Sequence, residues 1–153
     1  MEKLANSMNI RVFCQPVEDE GEIREGLRIL VPLDLEKEKL QLHESTALGF
    51  NEKKIKIFEL RLEKYRHIVQ AWGNIAWKLG REQLDLLLNQ LDSRLDEDMN
   101  FFFRIDKTRL LKSRKVVLTD EGNCYHFRIN ISAFPRRREN AIEAAKKLVL
   151  EKI

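Results

Sequence analysis

Cations and aromatic rings that recur together on alternating segments are the residues of this chain best equipped for chemistry. Ile10, Val12 and Cys14 have the period of two expected of a half-buried strand, which turns Arg11 and Phe13 to the opposite face. The same parity puts Phe102 and Arg104, within Asn100–Asp106, and His126 and Arg128, within Asn123–Phe134, on a polar face, with Lys56 as a further candidate. Rings stack on unpaired bases and guanidinium groups hold phosphates, so such a face suits single-stranded RNA. The competing reading makes Phe13 and Phe102 core residues beneath a second layer, with the arginines at its rim.

Two cationic clusters lie outside those strands. Lys107, Arg109, Lys112, Arg114 and Lys115 place five cations in nine residues over what reads as a connection. They form either a phosphate-binding patch or a solvated loop. Arg136, Arg137 and Arg138 follow Pro135 at the start of the last helix, where the helix dipole already places partial positive charge. They do not help the helix, but would suit a phosphate held by guanidinium forks and free backbone N–H groups. The alternative is a salt-bridged surface with Glu139 and Glu143. Trp77 falls off its helix's apolar stripe, as a protein-docking ring or as one half-buried against a neighbouring helix. The alternative function to RNA binding is a protein–protein adaptor that docks a partner through its sheet edge or the Trp77 face.

Catalytic patterns are missing. There is no GxSxG, HExxH, glycine-rich phosphate loop or DxDxDG loop, and the six glycines never cluster. His43-Glu44 and Asp106-Lys107 are neighbours on strands, so their side chains point to opposite faces. His43, His67 and His126 are scattered, and Cys14 and Cys124 stand far apart without a CxxC. The expectation is a non-enzyme with no cofactor or metal and with reduced thiols, located in the cytoplasm. The enzymatic alternative is a metal-dependent nuclease built from distant carboxylates. Apolar runs are too short for a membrane span, and Glu2 and Lys3 do not fit a signal peptide.

The elements that must position these residues read as one domain. With 153 residues and 43% hydrophobic content, the chain can bury a core. The net charge of +3 is uneven: from Glu97 onward 13 Lys and Arg stand against 8 Asp and Glu. That bias suggests a local anionic partner. Residues 1–8 lack a pattern and are expected to fray, leaving 9–153 as the domain. A strand at Ile10–Cys14 precedes a helix bearing Ile23, Leu27, Leu30 and Val31. Strands follow at 38–46 and 55–62, the second switching parity between Ile57 and Phe58, as a bulge or burial on both faces would cause. Two helices, the first closed by Gly80, lead to strands at Asn100–Asp106, Lys115–Leu118 and Asn123–Phe134 and to a helix over Asn140–Ile153. The order β-α-β-β-α-α-β-β-β-α predicts an α+β fold, a largely antiparallel sheet with helices on one face.

The segment Tyr125 to Ala141, Tyr-His-Phe-Arg-Ile-Asn-Ile-Ser-Ala-Phe-Pro-Arg-Arg-Arg-Glu-Asn-Ala, is distinctive. With Phe103-Arg-Ile-Asp-Lys107 and the turn from His43 to Gly49, it resembles the archaeal family of predicted exosome subunits, or RNA-binding domain proteins. The resemblance spans nearly all of the chain from Met8. It implies a fold like that of the large-subunit ribosomal protein that binds 5S RNA, and RNA binding as an accessory of processing or decay with exosome subunits as partners. After Lys107 this chain carries Thr108-Arg109-Leu110-Leu111 where relatives tend to have small residues and a glycine.

Overall fold

Ten residues, Ala5–Cys14, form β1 in the computed structural model, which describes residues 2–152. Ile10, Val12 and Cys14 are buried as the alternation requires, but the strand starts well before Ile10. Residues 5–8, expected to fray, belong to the sheet, with Leu4, Ala5 and Met8 buried. A register shift between Ala5 and Ser7 breaks the period of two there, which hid the strand's beginning.

Helix α1, Glu20–Leu30, starts where the Asp19 carboxylate accepts from the backbone N–H groups of Gly21 and Glu22. Turns then delay β2 to Leu42–Leu48, later than the strand expected at 38–46. β3 spans Lys54–Leu62 and pairs in unbroken register with both β2 and β1. Phe58, Leu60 and Leu62 face the helices, and Ile55 and Ile57 lie half-buried on the other side, so the parity switch is not a bulge. Helix α2, Tyr65–Asn89, breaks at Gly80, whose φ of 79° suits glycine. Then come α3 (Leu91–Arg94), β4 (Asn100–Asp106), α4 (Lys107–Ser113), β5 (Cys124–Ile131) and α5 (Arg138–Leu150).

The five strands make one antiparallel sheet in the order β2-β3-β1-β5-β4, with helices packed on one face. The α+β expectation therefore holds. Within it, Lys115–Leu118 is no full strand: Leu118 alone bridges Ile105. The connection after β4 is helical, because Asp106 caps it by accepting from the Arg109 N–H at 2.9 Å.

The core lies between the sheet and α1, α2 and α5. Phe103 stacks on Phe127 at 4.7 Å and meets Trp72 edge-on at 5.8 Å. The Trp72 indole N–H donates to the Leu148 carbonyl at 3.1 Å. Tyr125 donates to the Ile23 carbonyl at 2.7 Å, and burial pushes its phenol pKa up. Gly26 is required at that crossing: a Cβ there would meet the Tyr125 hydroxyl, and would lie 2.7 Å from Tyr125 Cζ and 2.9 Å from Leu111 Cδ2. Alanine would gain about 1 kcal/mol of helix propensity but overpack the site and disturb the hydrogen bond. Gly26→Ala is expected to lower stability by about 1–3 kcal/mol in urea denaturation. An unchanged or raised midpoint would show that α1 can shift away from β5.

Candidate nucleic-acid interface

Among the described residues no element covers the face opposite the helices, and strand pairing arranges it in rows. Arg104, His126, Arg11, Glu59 and His43 stand side by side across all five strands. A neighbouring row holds Phe102, Arg128, Asn9 and Arg61. Phe13, opposite Ile57, lies beyond Arg11 and is 42% exposed. The expected register is therefore present: Phe13, Phe102, Arg104 and Arg128 share one face, and Tyr125, Phe127, Ile129 and Ile131 are buried on the other. No second layer covers the two phenylalanines among the described residues. Lys56 is the exception, since it turns to the helix side and pairs with Glu20 at 2.6 Å.

Phe102 and Phe13 mark the ends of a diagonal with His126 and Arg11 between them. Two strand spacings and four residues of rise separate their backbones by about 17 Å. The Phe102 ring and the His126 imidazole are 5.5 Å apart, tilted by 45°. The Arg11 guanidinium sits 5.9 Å from the Phe13 centroid and 3.8 Å from the Glu59 carboxylate, an exposed pair worth little energy. Burial, helped by Arg104, Arg11 and Arg128, holds the His126 pKa below its ordinary value. The face thus offers rings for bases and a row of cations for phosphates.

Sequence reasoning missed Arg94. It closes a groove of about 590 Å3 beside Phe102, with Gln90, Arg104, Asp120 and His126 along its sides. Its Nε donates to Gln90 Oε1 at 2.8 Å and its Nη1 to the Phe102 carbonyl at 3.3 Å. It lies on a short helix in the less basic part of the chain, and no sequence pattern ties it to β4.

The cationic clusters divide. Lys107 is buried, with its Nζ 2.6 Å from the Phe13 carbonyl and 3.1 Å from Glu18 Oε1, so it holds the fold and cannot reach a phosphate. Arg109, Lys112, Arg114 and Lys115 are exposed, but α4 packs against α1, away from the open face. In the arginine run, Arg138 is pinned: it donates to the Leu95 carbonyl at 3.0 Å and the Asp92 carbonyl at 2.6 Å, satisfying the end of α3. Arg137 is exposed, and Arg136 approaches the Asp98 carbonyl at 3.5 Å. Asn130, on the open face, donates to that same carbonyl, so Arg136 extends the face at its Asn100–Asn130 end. Phe134, read from sequence as the strand's last residue, is 97% exposed beside this corner.

Arg138→Ser should therefore cost about 1 kcal/mol of stability through the lost hydrogen bonds. Arg136→Ser and Arg137→Ser should stay within about 0.5 kcal/mol of the parent. Thermal unfolding of the three variants checks this; equal midpoints would show the Arg138 contacts to be energetically idle.

Comparison with known proteins bears on the family and the fold. A family model described as RNA binding matches residues 7–132. An RNA-binding protein of Pyrococcus abyssi is 23% identical over 143 residues, covering 94% of this chain and 92% of its own. A crystal structure from Archaeoglobus fulgidus superposes with a TM-score of 0.83 at 26% identity, over 94% of this chain and 99% of its own. A protein of Sulfolobus solfataricus gives 0.73 at 25% identity, over 97% and 100%. This chain belongs to the RNA-binding family.

Proposed function

We propose that the chain binds single-stranded RNA across its open sheet face, without catalysis. In this reading bases stack on Phe102 and Phe13, and Arg104, Arg11 and Arg128 hold the phosphates between them. Arg136 extends the track at one end. The observation that carries the reading is the aligned row Arg104–His126–Arg11, flanked by the exposed Phe13 and the half-buried Phe102, in a member of an RNA-binding family. An accessory role in RNA processing or decay, with exosome subunits as partners, is what the sequence resemblance adds. The exposed cations Arg109, Lys112, Arg114 and Lys115 would serve as a second, backbone-only contact. Titration of labelled single-stranded and duplex RNA at two salt concentrations tests this. Tighter binding of the single strand, weakened steeply by salt, supports it. Preference for duplex would remove the stacking role.

His126 gives a pH signature. Its folded pKa lies below the ordinary imidazole value of about 6.5, because burial and Arg104, Arg11 and Arg128 oppose its charge. RNA phosphates on those arginines would relieve that opposition and favour the proton, so binding takes up a proton as pH falls below that value. Affinity should therefore rise on acidification, and His126→Gln should abolish the rise. A flat profile in the parent would place RNA elsewhere.

Trp77 supports a separate reading as a protein-docking ring, because it is 79% exposed on α2. Expected half-burial does not occur. Trp77→Ser should leave RNA affinity unchanged while weakening capture of a protein partner.

A further inference from the structure

The two edges of the sheet differ. The outer side of β4 is covered, with Leu95 bridging Phe101, Leu118 bridging Ile105, and Arg94 donating to the Phe102 carbonyl between them. At the opposite edge no described strand pairs with the outer side of β2, and every residue from His43 to Leu48 is exposed. Lone edges are normally blunted by lysine, proline or a bulge. β2 has no lysine or proline and runs in unbroken register. Its one charge, Glu44, is engaged by Arg24 and Lys56.

We propose that β2 pairs antiparallel with β2 of a second copy, about a two-fold axis normal to the sheet and centred on Ser45. The register follows from the side chains. An axis on Glu44 would set two carboxylates directly opposite each other, which destabilises a strand pair. An axis on Thr46 would set each Leu48 against a Glu44. The axis on Ser45 instead sets Leu48 against Leu42, Glu44 against Thr46 and His43 against Ala47. It alone of the three joins leucine to leucine within β2.

The apolar surface also complements itself. Leu48 is 73% exposed and points to the same side as Phe58 and Leu60. On that side, next to Leu42, lies a groove of about 140 Å3 walled by Leu27, Val31, Leu33, Leu35 and Leu60, with Arg24 and Arg28 also lining it. Pairing on Ser45 brings each copy's Leu48 to the other's groove, so both contacts form together, as a two-fold interface requires. The result is one ten-stranded sheet with all helices on one side and both RNA faces on the other. A strand edge with two leucine knobs falls in the small class of interface, below about 1,200 Å2. Association should therefore be reversible and concentration-dependent.

Sedimentation over a concentration series tests the pairing. The parent should pass from monomer to dimer, and Leu48→Arg should remain monomeric with unchanged circular dichroism. Ser45→Cys tests the register, because directly opposed residues have Cα atoms about 4.5–5.5 Å apart, within disulfide reach. The native Cys14 and Cys124 are buried and do not compete. Mild oxidation should give a covalent dimer from Ser45→Cys and little from Ala47→Cys, which would face His43 of the other copy. A parent that stays monomeric, a Leu48→Arg variant that dimerises as well as the parent, or equal cross-linking at 45 and 47 would overturn the proposal.

Discussion

Replacing Arg11, Arg104 and Arg128 together by glutamine is expected to weaken single-stranded RNA binding about 100-fold at 0.1 M salt, without loss of fold. On a single strand each phosphate contact contributes about 0.7 to the slope of log affinity against log salt, so three contacts contribute about 2. If the contacts that do not depend on charge are kept, that slope lost over one decade below 1 M is a factor of about 100. Stability should move little, because Arg11 has an exposed carboxylate and the exposed Phe13 ring as partners and Arg104 one carbonyl at 3.1 Å. The binding isotherm at several salt concentrations reads both numbers. A variant that binds as the parent does, with the same slope, would move the phosphate contacts to another surface.

Lys107→Met should have the largest effect on stability, a loss of about 2–3 kcal/mol. The ammonium is buried and bonded to the Phe13 carbonyl and both oxygens of Glu18. Methionine fills the same volume but leaves that carbonyl and a carboxylate without their donor. Removing one partner of a buried ion pair costs about 3–5 kcal/mol; Glu18, 25% exposed, recovers part of this by hydration. Loss of the link between β1 and the start of α4 would also loosen Phe13, so RNA affinity should fall modestly beside the stability loss. Urea denaturation checks the first and titration the second. An unchanged midpoint would show the lysine to be dispensable.

Lys107 also shows where sequence reasoning stops. It stood in a run of cations, and nothing in that run distinguishes the one bonded to a residue 89 positions away from the four that face solvent. Arg138 is the same case, reaching Asp92 and Leu95 across the fold. Burial of a charge depends on tertiary partners, which local pattern does not contain. The open face was legible because strand parity is local: one inward alternation at Tyr125–Ile131 assigns His126 and Arg128 to the opposite side. The helix after β4 could have been found too, from Asp106 as an N-cap before Leu110 and Leu111. The cationic composition of that segment drew attention instead. Arg94 and the β2 edge had no local signal, since each acquires its meaning from the strand beside it.

The central claim is that RNA lies on the sheet face opposite the helices. Amide chemical-shift mapping of labelled protein with a single-stranded oligonucleotide tests it most directly. The expected perturbations follow the diagonal from Phe102 and Arg104 through His126 and Arg11 to Phe13, with Arg136 at its end. Perturbations confined to α4 or to the Trp77 side of α2, with that diagonal silent, would contradict it.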